Sequence, residues 1–222
     1  MHKETSEHIH LLTALSYYSR TRFITNLLPL LQRASVLRRV VTVGKGGFEG
    51  PLDSSDFPAS RVPLRAIRGH VCTLMSLGLE SVAKMAPEVS FVHCDPGAVK
   101  TALYDRVEGV FGVLMRVFLF VVGYWVCVPI EECGERQLFL ATSARYPPAS
   151  VGNVGDSGVS RGDGIDVARG TTGETGSGVY SVLWDGTSAP PTVQKVLAGY
   201  REEGMVEEIG RHTEGEFNRI LK

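Results

Sequence analysis

The 222-residue chain is 43% apolar and 21% charged, a balance that gives one domain of ordinary size enough material for a core and excludes disorder by composition. A net charge of -1, a pI near 6.6 and the absence of a basic run argue against nucleic acid as a partner. Cys72, Cys94, Cys127 and Cys133 contain no C-x-x-C pair, which points to reduced thiols in an intracellular, cytoplasmic setting.

The opening MHKETSEHIH lacks the basic and apolar regions of a secretory signal, so export is not expected. His2, His8 and His10 lack a carboxylate or cysteine partner at ligand spacing and read as a frayed or solvated helix start; no metal is expected. From Leu11 to Arg33, apolar residues at Leu15, Tyr18, Phe23, Leu27, Leu30 and Leu31 give helical spacing, which Pro29 should loosen near the last turn. Arg38 to Gly44, RRVVTVG, is a β-branched run bounded by basic residues and glycines, expected to be a strand buried on both faces. Leu64, Ile67, Val71, Leu74, Leu77, Leu79 and Val82 form the apolar face of a second helix over 62–84, and EVSFVHC is the next strand. Helix, strand, helix, strand with short links predicts an α/β fold with parallel strands and right-handed crossovers.

Val110 to Ile130 is the most apolar stretch, interrupted only by Arg116. Its length meets the requirement for a span, but a central Arg costs about 2.5 to 3.5 kcal/mol. A hydrophobic lid or dimer face ranks first among its readings, then peripheral membrane contact, then spanning. Residues 128–148 return to amphipathic helix, ended by Pro147 and Pro148. Gly152 to Gly178 contains GETGSG, but without a strand before it and a helix after it this reads as a flexible loop. VYSVLWDG then predicts a strand, and the tail predicts two short helices broken at Gly204. His212, among Glu207, Glu208, Glu214 and Glu216, reads as part of a surface charge cluster.

NLLPLL with RRVVTVG, then a helix carrying LGLE, then VSFVHCDPGAVKT, and finally VPIEECGERQLFLATS, GSGVYSV and GMVEEIGRHTEGEF together resemble the C-terminal half of the short-chain dehydrogenase/reductase family, in its fungal secondary-metabolism branch. The resemblance implies a doubly wound Rossmann sheet of parallel strands, NAD(P) as cofactor, and oxidoreduction of a hydrophobic small molecule. It also implies that Pro96, Gly97 and Thr101 form the turn that closes the nicotinamide pocket.

Against the family pattern, T-G-x-x-x-G-x-G and N-A-G are absent, so about 100 residues of first strands are expected to be missing from a truncated Rossmann-like domain. The family's Ser, Tyr and Lys positions fall at Gly44 or Lys45, Pro63 and Ile67, none able to do that chemistry, and its helix Asn aligns with Tyr17. Arg65, Arg68, His70, Lys45 and Glu49 lie near the would-be active face. Tyr17 and His70 are the acid/base pair these residues allow.

The expected organisation is one incomplete domain over 1–222. Core helices and strands occupy 11–104, apolar lid helices 105–150, the glycine-rich loop 151–178, and the last strand with C-terminal helices 179–222. A catalytically inactive remnant that binds a protein or ligand is the alternative function. The strand 38–44, lacking a neighbour on one side, is expected to expose an edge that promotes self-association.

Overall fold

The computed structural model describes residues 4–99, 101, 109–150 and 158–221. Three segments, Leu11–Thr13, Ala14–Tyr18 and Ser19–Gln32, run on as one helix, α1, over 11–32; its middle segment is π-helical. The wider π turn adds a residue to one revolution, and the adjacent Tyr17 and Tyr18 are both buried. The helix continues through Pro29 to Gln32, so the proline sits within its last turn without ending it.

Strands β1 (Arg39–Val43), β2 (Ser90–Cys94) and β3 (Val179–Val182) form a parallel sheet in the order β1-β2-β3. Arg39 pairs with Ser90 and Phe91 with Val179, which fixes the register. Five further helices follow: α2 (Leu64–Met85), α3 (Gly109–Val126), α4 (Ile130–Thr142), α5 (Pro191–Glu202) and α6 (Met205–Ile220).

Alternation along β2 divides the core, because successive strand residues point to opposite faces. Phe91 joins Tyr17, Leu74, Leu77, Leu197 and Ile209, placing α1, α2, α5 and α6 on one face. Val92 and Cys94 join Leu140, Tyr146, Tyr180 and Val182, placing α4 on the other. All five residues of β2 are therefore buried. β1 departs from the expectation of burial on both faces: only Thr42 is buried and Val43 is exposed, since β1 pairs with β2 alone among the described residues. Arg20 of α1 donates to the Val43 carbonyl at that outer side.

Two histidines depart from the solvated reading. His10 is 6% exposed, whereas His8 faces solvent. His212 accepts or donates a 2.7 Å bond with the Tyr18 hydroxyl, and its ring lies 4.8 Å from that of Phe57. Within the glycine-rich region, 151–157 falls outside the described residues. The following stretch is tied down by Ala168 N–H to Arg145 O and Thr171 N–H to Val179 O, and Ala168 and Thr171 are buried.

The helices are joined by one half-buried clamp. Arg201 of α5 donates to both carboxylate oxygens of Glu80 on α2, at 2.8 and 3.1 Å, and to the Thr171 carbonyl at 2.6 Å. Arg201→Ala leaves the Glu80 carboxylate without its cation; discounted for the partial exposure of the guanidinium, the loss is about 2 kcal/mol. Urea denaturation should show it as a lower midpoint at unchanged m.

Candidate functional site

In a parallel sheet with helices on both faces, ligands bind outside the carboxyl ends of the strands. Here that edge gathers the loop 44–50 after β1, the turn 95–97 after β2 and Trp184 after β3. The loop lies flat across the other two strands. A Cβ on Gly46 would stand 2.1 Å from the His93 carbonyl oxygen and 2.8 Å from that of Val182, so this position excludes any side chain.

The loop's flat path carries Glu49 beneath the edge, where four polar side chains from four segments converge. Ser76 of α2 donates to Glu49 Oε1 at 2.6 Å, and Ser181 of β3 donates to the same oxygen at 2.5 Å. Ser181 in turn accepts from the Gly47 N–H at 2.7 Å. His93 of β2 accepts the Lys45 N–H at Nε2, 3.3 Å away, which leaves Nδ1 to donate to Ser76 Oγ at 3.0 Å. Donors thus converge on Glu49 from two sides, from His93 through Ser76 and from the Gly47 N–H through Ser181.

Burial pushes the Glu49 carboxyl up, but the His93 ring 3.7 Å away and the Ser181 and Ser76 hydroxyls outweigh it and hold the group below its ordinary value. Oε2 of Glu49 has no hydrogen-bond partner among the described residues. Glu49, Ser76, His93 and Ser181 are all buried, so the cluster braces the edge from beneath.

Above it, Lys45 reaches solvent while its ammonium sits 2.9 Å from Asp95 Oδ1. The same oxygen accepts the Gly97 N–H at 3.0 Å. Gly97 has φ +76, a conformation that favours glycine, and its missing Cβ would face Trp184 at 3.1 Å and Val128 at 3.2 Å. Pro96 and Gly97 therefore form a turn locked by the Lys45–Asp95 pair. Thr101 is exposed. Beside the turn, a cleft of about 330 Å³ is lined by Phe139, Leu140, Trp184 and Arg136, the last lying 4.5 Å from the Trp184 ring centroid.

The two acid/base candidates are placed apart. Tyr17 packs against Gly78, eight residues along α2 from His70, or about 12 Å of helix. Its hydroxyl bonds to Thr213 at 2.7 Å, and burial raises it to about 12. His70 accepts from the Asp53 N–H at 3.2 Å and bonds through Nε2 to the Phe57 carbonyl at 3.1 Å; burial lowers its pKa. Tyr17 instead lines a second cleft, about 770 Å³, between α1, α2 and α6. Glu49, noted from the sequence beside the would-be active face, forms a polar centre with His93, which sequence reasoning passed over. The available signal was a histidine inside the otherwise apolar strand SFVHC, because a buried polar group demands a partner.

Among the described residues no group of His, Cys, Asp and Glu could hold a metal ion. Burial raises the thiols of Cys72 to about 12 and Cys94 to about 11, so neither is an activated nucleophile.

No family model matches the chain. It is 42% identical over 224 residues to Oxidoreductase AN1596 of Emericella nidulans, covering 98% of this chain and 64% of that protein. It is 38% identical over 207 residues to Oxidoreductase andH of Emericella variicolor, covering 92% and 59% respectively. Short-chain dehydrogenase/reductase SAT2 of Stachybotrys chartarum is 28% identical over 199 residues, covering 86% and 54%. The chain thus spans between 54% and 64% of the length of these relatives. By sequence it is similar, over nearly its whole length, to fungal proteins named oxidoreductases, one of them named a short-chain dehydrogenase/reductase.

Proposed function

We propose that the chain belongs functionally with NAD(P)-dependent oxidoreductases that act on a hydrophobic small molecule in fungal secondary metabolism. The observation that carries this reading is the placement of the Pro96–Gly97 turn at the carboxyl end of the middle strand, beside the Lys45–Asp95 pair and the cleft under Trp184. That cleft sets the apolar walls of Phe139, Leu140 and Trp184 beside the Arg136 guanidinium and the carboxylates of Glu135 and Asp185, a lining suited to an apolar substrate that carries polar groups.

The described residues do not fit the phosphates of a dinucleotide. A pyrophosphate needs glycine backbone open at a helix N-terminus. The space over Gly44 is taken by the His93 ring, 2.7 Å from a would-be Cβ, and that over Gly46 by the His93 carbonyl. No step is therefore assigned through the cofactor. The same packing favours a second reading, a protein that binds a ligand at the Trp184 cleft without turning it over.

Thermal melting separates the two. If the chain binds NADPH, a concentration a hundredfold above Kd stabilises it by about 2.7 kcal/mol and raises Tm by about 8 °C. Turnover of aliphatic and aromatic ketones with NADPH, followed by loss of cofactor absorbance, completes the test. An unchanged Tm at saturating NADH and NADPH, with no turnover, abandons the enzymatic reading for this chain and leaves the binding one.

A further inference from the structure

The geometry points to α3 as a membrane-contacting helix that lies along a neutral lipid surface. At 100° per residue, Val117, Phe118, Phe120, Val121, Tyr124 and Trp125 fall within an arc of about 160°, and all six are exposed. Phe120 is 85%, Tyr124 89% and Trp125 76% exposed. The opposite side, with Leu119, Gly112 and Gly123, is buried. One face of α3 is thus settled against the protein, and the other presents a continuous apolar surface to whatever lies outside.

Two observations choose lipid as the occupant. The arc is far wider than the seam between two packed helices, which takes little more than two positions in seven. The aromatic residues Tyr124 and Trp125 stand edge to face at the helix end, 5.7 Å between centroids, as side chains that favour the boundary between water and hydrocarbon.

One side of α3 is buried from Gly112 to Gly123, so the helix lies along the protein surface, its length of about 27 Å placed in the interface parallel to the membrane. The first turn of α4 carries Glu131 and Glu132, both exposed. With acidic groups next to it and one cation within it, α3 is matched to zwitterionic lipid and gains nothing from anionic headgroups.

The test uses the full chain with vesicles of phosphatidylcholine alone and of phosphatidylcholine mixed with phosphatidylserine. The chain is expected to float with both kinds of vesicle to the same extent, and to stay bound in high salt. In a Trp184→Phe background, brominated phosphatidylcholine should quench Trp125 fluorescence. Phe120→Glu, at a position so exposed that Tm stays unchanged, should lower the bound fraction roughly tenfold. The proposal is overturned by absence of flotation, by binding that requires phosphatidylserine, or by flotation that Phe120→Glu leaves intact. It is equally overturned by a dimer in gel filtration that Phe120→Glu dissociates while vesicles leave it whole, which would assign the face to a second copy.

Discussion

Glu49→Ala should destabilise the chain by about 4 kcal/mol, seen in thermal melting as a drop of about 12 °C. The carboxylate is completely buried and receives two hydroxyl hydrogen bonds from different segments. Removing it leaves Ser76 and Ser181 with donors that point into an empty space, and loosens the loop from both β3 and α2. Glu49→Gln retains an oxygen at the same place and should lose about half as much. The two variants also separate charge from shape through pH. The folded-state pKa of Glu49 lies below its ordinary 4.5. Its contribution is therefore complete above about pH 4.5, and is lost as the pH falls through the depressed folded value. The stability of Glu49→Gln should fall less steeply in that acid window. Parallel acid profiles for the two proteins would show that the carboxylate is not held as an anion.

Gly46→Ala should cost about 3 kcal/mol, although it adds only a methyl group. The neighbours of the new Cβ would be the backbone carbonyls of His93 and Val182, which cannot rotate away as a side chain can. The loop must lift, and lifting it breaks the Gly47 N–H bond to Ser181 together with the Lys45 N–H bond to His93. A loss below about 1 kcal/mol in denaturant melts would mean that the loop already moves freely on the strands. The same variant should also weaken any ligand at the Trp184 cleft, because the turn at Gly97 is held to the loop through Lys45 and Asp95.

The helices and strands of the α/β core were legible because periodicity reports burial directly. Helix α2 over 64–85 and the break at Gly204, φ +76, follow from apolar spacing and from a glycine that takes a left-handed turn readily. Burial of β1 was misjudged, since RVVTV is equally apolar at an edge and at a centre, and only its neighbours decide. The turn at Pro96 and Gly97 was visible as a motif, but its lock was not. Lys45 and Asp95 are fifty residues apart, and nothing local in either segment names the other. The four-residue cluster was hidden for the same reason: Glu49, Ser76, His93 and Ser181 are brought together by the sheet order alone. Tyr17 and His70 looked suitable by residue type, yet their reach is set by the helices that carry them.

The π turn at Ala14–Tyr18 has a consequence for how this segment tolerates change in length. Tyr17 holds Thr213 and Tyr18 holds His212, so two consecutive residues of one helix clasp two consecutive residues of another. His212 and Thr213 are likewise adjacent, about 100° apart on the regular helix α6, so each helix meets the other along the flank between two neighbouring side chains. Deleting a single residue from 14–16 would restore ordinary winding and rotate the turn before it, with buried Thr13, by about 100° relative to the tyrosines, whereas replacing that residue would leave the clasp whole. The first helix should therefore accept altered letters far more readily than an altered count.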